Sequence, residues 1–112
     1  DIQAEQYIKR PNTDTRRPHA KNQRVIWSGK EQTMYFYDGC SFTGPGISQS
    51  EIYALYPNGD PMAIIQNRIG LIGCHPESEG HWYNDYSWMR GKYHQGSQHQ
   101  LLLDFVDSIL NK

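Results

Sequence analysis

Helical periodicity is confined to one stretch of this sequence. From Ser97 onward, Leu101, Leu102, Phe105, Val106 and Ile109 recur at spacings that form one apolar stripe, with Asp104, Asp107 and Ser108 facing away. The residues before it are mostly short β-forming runs cut by turn residues. One helix cannot cover both faces of a sheet of four or five strands. The pattern therefore predicts an α/β domain that is strand-rich, carries a C-terminal helix on its sheet, and is incomplete in isolation.

The strand signals fall in order. Residues 24–28 (RVIWS) and 33–39 (TMYFYDG) read as strands on either side of a turn at GKEQ, residues 29–32. TGPG at 43–46 breaks the second strand. EIYALY at 51–56 alternates, placing Ile52, Ala54 and Tyr56 on one face. PNGD at 57–60 is a turn signal, and MAIIQN at 62–67 completes a hairpin with it. RIGLIG at 68–73 is a continuous apolar run, the pattern of a strand covered on both faces. Residues 1–23 are polar and interrupted by Pro11 and Pro18. They read as a lead-in segment, mostly loop, with one short element around AEQYIK at 4–9. HWYNDYSWM at 81–89 has no clean period and reads as a loop or a short irregular helix.

A chain of 112 residues is enough for one small domain. Hydrophobic residues make up only 37%, but 12% aromatics supply a core and argue against disorder. A formal net charge of -1 gives no electrostatic case for nucleic acid or an anionic membrane as partner. No apolar segment approaches the roughly 18 residues that span a bilayer, and no signal peptide is present. The sequence opens at Asp1 rather than Met, which implies that residues were removed before it. Cys40 and Cys74 leave two arrangements open, one bridge or two free thiols, and with them the redox compartment.

The chemistry-bearing stretch is GCHPESEGHWY, residues 73–83, where the apolar run gives way to a histidine, a proline and two glutamates. Ligand sites in open α/β sheets gather at the carboxyl ends of strands. His75 sits at such an end. Pro76 stops the ladder because it has no N–H. Glu77 then follows closely enough to hydrogen-bond one ring nitrogen of His75, which leaves the other to take a proton from a nucleophile. That is the base and acid of a nucleophile–His–acid triad. The plainer alternative is a packed histidine beside a solvated glutamate.

GLIGCHPESE (70–79) resembles the motif in which a strand ends in G-x-H-P-E in class I glutamine amidotransferase-like domains. YFYDGCSF (35–42), HWYNDYSW (81–88) and the helix HQLLLDFVDSIL (99–110) are similar to one branch of that family. It is the N-terminal domain of biotin–protein ligases and its stand-alone bacterial relatives. The resemblance covers residues 24–110. It implies that residues 24–112 are the C-terminal half of a flavodoxin-like sandwich. It also implies that His75 is the catalytic base and Glu77 its orienting carboxylate, with no cofactor and no metal.

The family's nucleophile is a cysteine on a glycine-flanked strand-to-helix elbow, which this sequence lacks. Cys40 lies in strand-like sequence, and Cys74 adjoins His75, so that their side chains point to opposite faces of a strand. The implied sulfur lies upstream. The expected partner is therefore the N-terminal half of the same domain, or else a second copy of this chain. A small amide-bearing substrate is expected, with a Cys-dependent amidotransferase or hydrolase activity that the chain alone lacks. The alternative is a non-catalytic ligand-binding or assembly module of the same fold.

Two other groupings compete. His75, Glu77, Glu79 and His81 alternate, and His with carboxylate suits zinc or iron, although Pro76 and Gly80 disfavour a regular strand that would align them. Trp82, Tyr83, Tyr86 and Trp88 form a stacking surface for sugars or bases, or a plug and contact surface for a missing half. His94 and His99 read as surface residues, and Arg16–Arg17 as a solvated turn.

Overall fold

The computed structural model describes residues 2–6, 21–36, 39–74, 76 and 97–111. Seven strands, one turn of 3-10 helix and one α-helix are formed among them. The strands are β1 (Gln3–Gln6), β2 (Lys21–Trp27), β3 (Lys30–Phe36), β4 (Cys40–Thr43), β5 (Glu51–Leu55), β6 (Pro61–Gln66) and β7 (Ile69–Ile72). The 3-10 turn covers Pro45–Gln49, and α1 covers Ser97–Leu110. The main sheet has five strands in the order β3-β2-β5-β6-β7, and β1 pairs separately with β4. Every ladder among the described residues is antiparallel.

Turn chemistry sets the register. β2 and β3 join through Ser28 and Gly29, both at positive φ (49° and 84°), the twist that matches two paired strands. The turn is therefore two residues long, and Lys30 already pairs with Trp27; the wider GKEQ turn expected from sequence is mostly strand. The expected hairpin at PNGD forms. Tyr56 N–H donates to the Asp60 carbonyl at 2.9 Å, and Asp60 N–H donates to Asn58 Oδ1 at 2.9 Å. A third tight turn is built from Asn67 and Arg68, again at positive φ (53° and 65°). It folds β7 back against β6, with Gln66 opposite Ile69.

The sheet corrects two expectations. RIGLIG is not a strand covered on both faces. β7 is an edge strand among the described ladders, and Ile69 is 63% exposed. Nor does β5 alternate as read: register shifts at Ile52/Ala54 and Ala54/Leu55 leave Ile52 exposed while Tyr53, Ala54 and Tyr56 are all buried. A β-bulge breaks the period of two in this way.

The helix lies on one face of the sheet. Leu101 and Phe105 are buried, and Ile109 packs against the core. The stripe is thus narrower than its sequence pattern, since Val106 is left exposed. Gly70 makes the docking possible: a Cβ there would run into Ile109 Cδ1 and come within 2.9 Å of Phe105 Cζ. Gln98 anchors the first turn of the helix, its Oε1 accepting from Tyr35 N–H at 2.7 Å in a buried position.

The main sheet consists of two blocks, the β2–β3 hairpin and the β5–β6–β7 meander. They are joined by only a short ladder, Ile26↔Leu55 and Trp27↔Ala54. Aromatic contacts reinforce this seam. Trp27 and Tyr53 meet edge to face at 5.3 Å, and Phe105 reaches both, at 6.1 Å and 5.1 Å. Such pairs contribute about 0.5–1.5 kcal/mol each beyond their burial.

The face away from α1 carries Ile26, Ile52, Ile64, Ile69 and Leu71, since side chains alternate along each strand. Ile52, Ile64 and Leu71 are direct register partners across three strands. Ile64 is buried between them, while Ile26, Ile52, Ile69 and Leu71 remain exposed. The polar lead-in also contributes structure, because β1 pairs with β4 from Gln3↔Thr43 to Gln6↔Cys40.

Candidate functional site

The approach to the His-Pro-Glu motif is a backbone junction built from two glycines and one tyrosine. At the end of β7, Gly73 N–H donates to the Met62 carbonyl at 2.8 Å. The Gly73 carbonyl in turn accepts from Cys40 N–H at 2.9 Å. This binds the start of β4 to the end of β7. The approach is so close that side chains are excluded on both strands. A Cβ on Gly73 would overlap the Cys40 carbonyl, lying 2.8 Å from its carbon, and a Cβ on Gly39 would overlap the Gly73 carbonyl oxygen.

Tyr56 closes the junction from below. Its ring is 2% exposed and meets Phe36 edge to face at 6.1 Å. Its hydroxyl lies 2.7 Å from the Cys40 carbonyl oxygen and 3.0 Å from that of Gly73. A phenol has a single proton, so the two carbonyls share it in a three-centre bond. The segment leading into residue 75 is thereby fixed by backbone and side-chain bonds together. Cys74 and Pro76, on either side of residue 75, are both buried.

His75 and Glu77, the residues expected to carry the chemistry, lie outside the described residues, as do Glu79, His81, Trp82, Tyr83, Tyr86, Trp88 and His94. Among the described residues no group of three or more His, Cys, Asp or Glu is placed to hold a metal ion. No helix among them is long and apolar enough to cross a membrane.

Cys40 and Cys74 are not joined by a disulfide. Cys40 is half-buried, and desolvation pushes its thiol above its ordinary value. A nucleophilic cysteine needs the opposite, a thiolate stabilised by nearby positive charge or a helix N-terminus. Cys40 sits at the start of β4 instead, and the next helical element among the described residues, the 3-10 turn, begins only at Pro45, beyond the end of that strand.

The glycine junction and the Tyr56 bridge were not anticipated from sequence. Their one visible signal is that Gly39 and Gly73 each directly precede a cysteine in β-rich surroundings. Nothing in the spacing predicts that the two meet. No protein-family model, curated protein or solved structure matches this chain.

Proposed function

We propose that this chain is the C-terminal portion of a class I glutamine amidotransferase-like domain of the biotin–protein ligase N-terminal type. In this reading it supplies the His75 and Glu77 of a Cys-His-Glu hydrolytic site whose cysteine lies upstream of Asp1. The observation that carries the reading is the closed junction at Gly73. A glycine is required there by the close approach of Cys40, and the strand end it holds leads directly into His-Pro-Glu. A base that must meet a sulfur from another segment needs such fixed backbone, since a misplacement of about 1 Å can cost a hundredfold in rate.

The described ladders are all antiparallel, so this reading requires the parallel strands of a flavodoxin-like sandwich to come from the other half. That half would also cover the exposed isoleucines on the face away from α1. The raised Cys40 thiol and the buried Cys74 favour an external nucleophile.

The chemistry would then run as a triad. His75, oriented by Glu77, takes the proton of the incoming thiol. The thiolate attacks the amide carbonyl, and His75 returns the proton to the departing amine. This leaves a thioester that water hydrolyses with the same base.

The test is reconstitution. This chain, alone and with the polypeptide encoded immediately before Asp1, is assayed for ammonia release from glutamine and simple primary amides. The expected result is no activity alone, activity in the pair, and its loss in His75→Ala. Full activity of the paired His75→Ala variant would refute the assignment. Inactivity of the pair, with every cysteine labelling slowly with iodoacetamide, would favour a non-catalytic binding module.

A further inference from the structure

A cleft sharing no residue with the Gly73 junction opens between α1 and the β2–β3 hairpin. Its volume is about 350 Å³, within the range of sites for small molecules. Trp27, Tyr53 and Leu101 line it and are buried, so they form its floor. The walls carry charge of opposite sign. Lys30, at the start of β3, stands on one side, and Asp104 and Asp107 of α1 stand on the other.

These charges do not neutralise one another. Among the described residues the ion pair is Arg24 with Glu31, and Lys30 pairs with neither aspartate. Each carboxylate is instead held by a neutral amide: Gln100 Nε2 donates to Asp104 Oδ1 at 2.9 Å, and Asn111 Nδ2 donates to Asp107 Oδ1 at 2.9 Å. Those bonds orient the two carboxylates without neutralising them.

The floor is aromatic: Trp27 is 3% exposed, and its indole lies beneath the charged walls with Nε1 itself enclosed.

We propose that this cleft binds a small zwitterion, with its ammonium group toward Asp104 and Asp107 and its carboxylate toward Lys30. A bare cation would leave the lysine unanswered. A bare anion would face two carboxylates. A molecule carrying both charges on a short frame answers the opposed walls and the floor together, and the aromatic floor takes the carbon skeleton between them.

The test uses the ¹⁵N-labelled chain and the indole N–H resonance of Trp27. Glycine and 4-aminobutyrate are titrated as zwitterionic probes, with butylamine and butyrate as controls of single charge. A saturable shift of the Trp27 indole signal with a zwitterion is expected, and the controls should bind at least about tenfold more weakly. Lys30→Gln and the pair Asp104→Asn/Asp107→Asn should each weaken the zwitterion by a similar factor. All three side chains are exposed, so the remainder of the spectrum should stay that of the native fold. Absence of a saturable shift with either zwitterion up to about 50 mM, well past the millimolar affinities at which weak ligands register, would overturn the proposal. So would butylamine or butyrate binding as tightly as the zwitterions, or variants that bind them unchanged.

Discussion

Replacing Tyr56 with phenylalanine removes one oxygen atom and leaves the packing in place. The ring is 2% exposed, and its edge-to-face contact with Phe36 does not involve the hydroxyl. What is lost is the proton shared between the carbonyls of Cys40 and Gly73. Gly73 keeps its bond from Cys40 N–H, so the loss falls mainly on the Cys40 carbonyl. That bond is part-buried, so water replaces some of what is lost and the cost is that of an ordinary hydrogen bond, about 1 kcal/mol. For a domain of this size that lowers Tm by roughly 4 °C. The assay is urea unfolding followed by circular dichroism. The midpoint should fall while the slope is unchanged, because the surface exposed on unfolding is the same. Native-state hydrogen exchange adds a local readout: the amides of Cys40 and Gly73 should lose more protection than those of the β2–β3 ladder. A variant with wild-type stability and unaltered exchange at both amides would show that the ring alone matters and that the hydroxyl bridge does not hold the strand end.

Gly73→Ala should be harsher, since the new methyl overlaps the backbone of Cys40 rather than a side chain that can swing away. A cost of about 3–5 kcal/mol is expected from overpacking plus the displaced hydrogen bond, and thermal unfolding reads it directly. Phe105→Ala empties the contact between helix and sheet seam and should cost about 3–5 kcal/mol, with loss of the near-ultraviolet signal of Trp27 and Tyr53. The Cys40 thiol is raised by desolvation, so at pH 8 less of it is thiolate than in free cysteine. Its alkylation by iodoacetamide should therefore be slower than that of free cysteine, and should accelerate only at a pH above the point where the free thiol ionises. The protonated thiol is the form the fold favours. Its contribution to stability is present below the unfolded-state pKa and is lost as pH rises through the folded one.

What the sequence displayed and what it concealed divide along the distance over which each feature acts. The PNGD hairpin was legible because Asn58, Gly59 and Asp60 enforce it locally. The helix was legible because Leu101, Phe105 and Ile109 repeat within one element. The Asn67–Arg68 turn was hidden. It has no glycine, and an arginine at positive φ is rarely inferred, so RIGLIG was read as a strand covered on both faces rather than as the hairpin partner of β6. The bulge in β5 was hidden because it comes from pairing with β6, not from β5 itself. The approach to the candidate site was the least legible part. Gly39 with Gly73, and Tyr56 with both, meet only after the sheet has formed. The motif itself was conspicuous in the sequence, yet His75 and Glu77 lie outside the described residues.

The two-block construction of the sheet has a consequence for the order of folding. β2 with β3, and β5 with β6 and β7, each close through turns only a few residues long, and such hairpins form within microseconds. Joining them is a different matter, because their direct ladder is two residue pairs long and the ring that spans both blocks is Phe105, about fifty residues further along the chain than Tyr53. On a ribosome, the hairpins would therefore emerge and wait as separate, partly apolar pieces until segment 97–110 clears the exit tunnel. The final helix acts as a late staple, and the interval before it arrives is when this chain has most need of a chaperone.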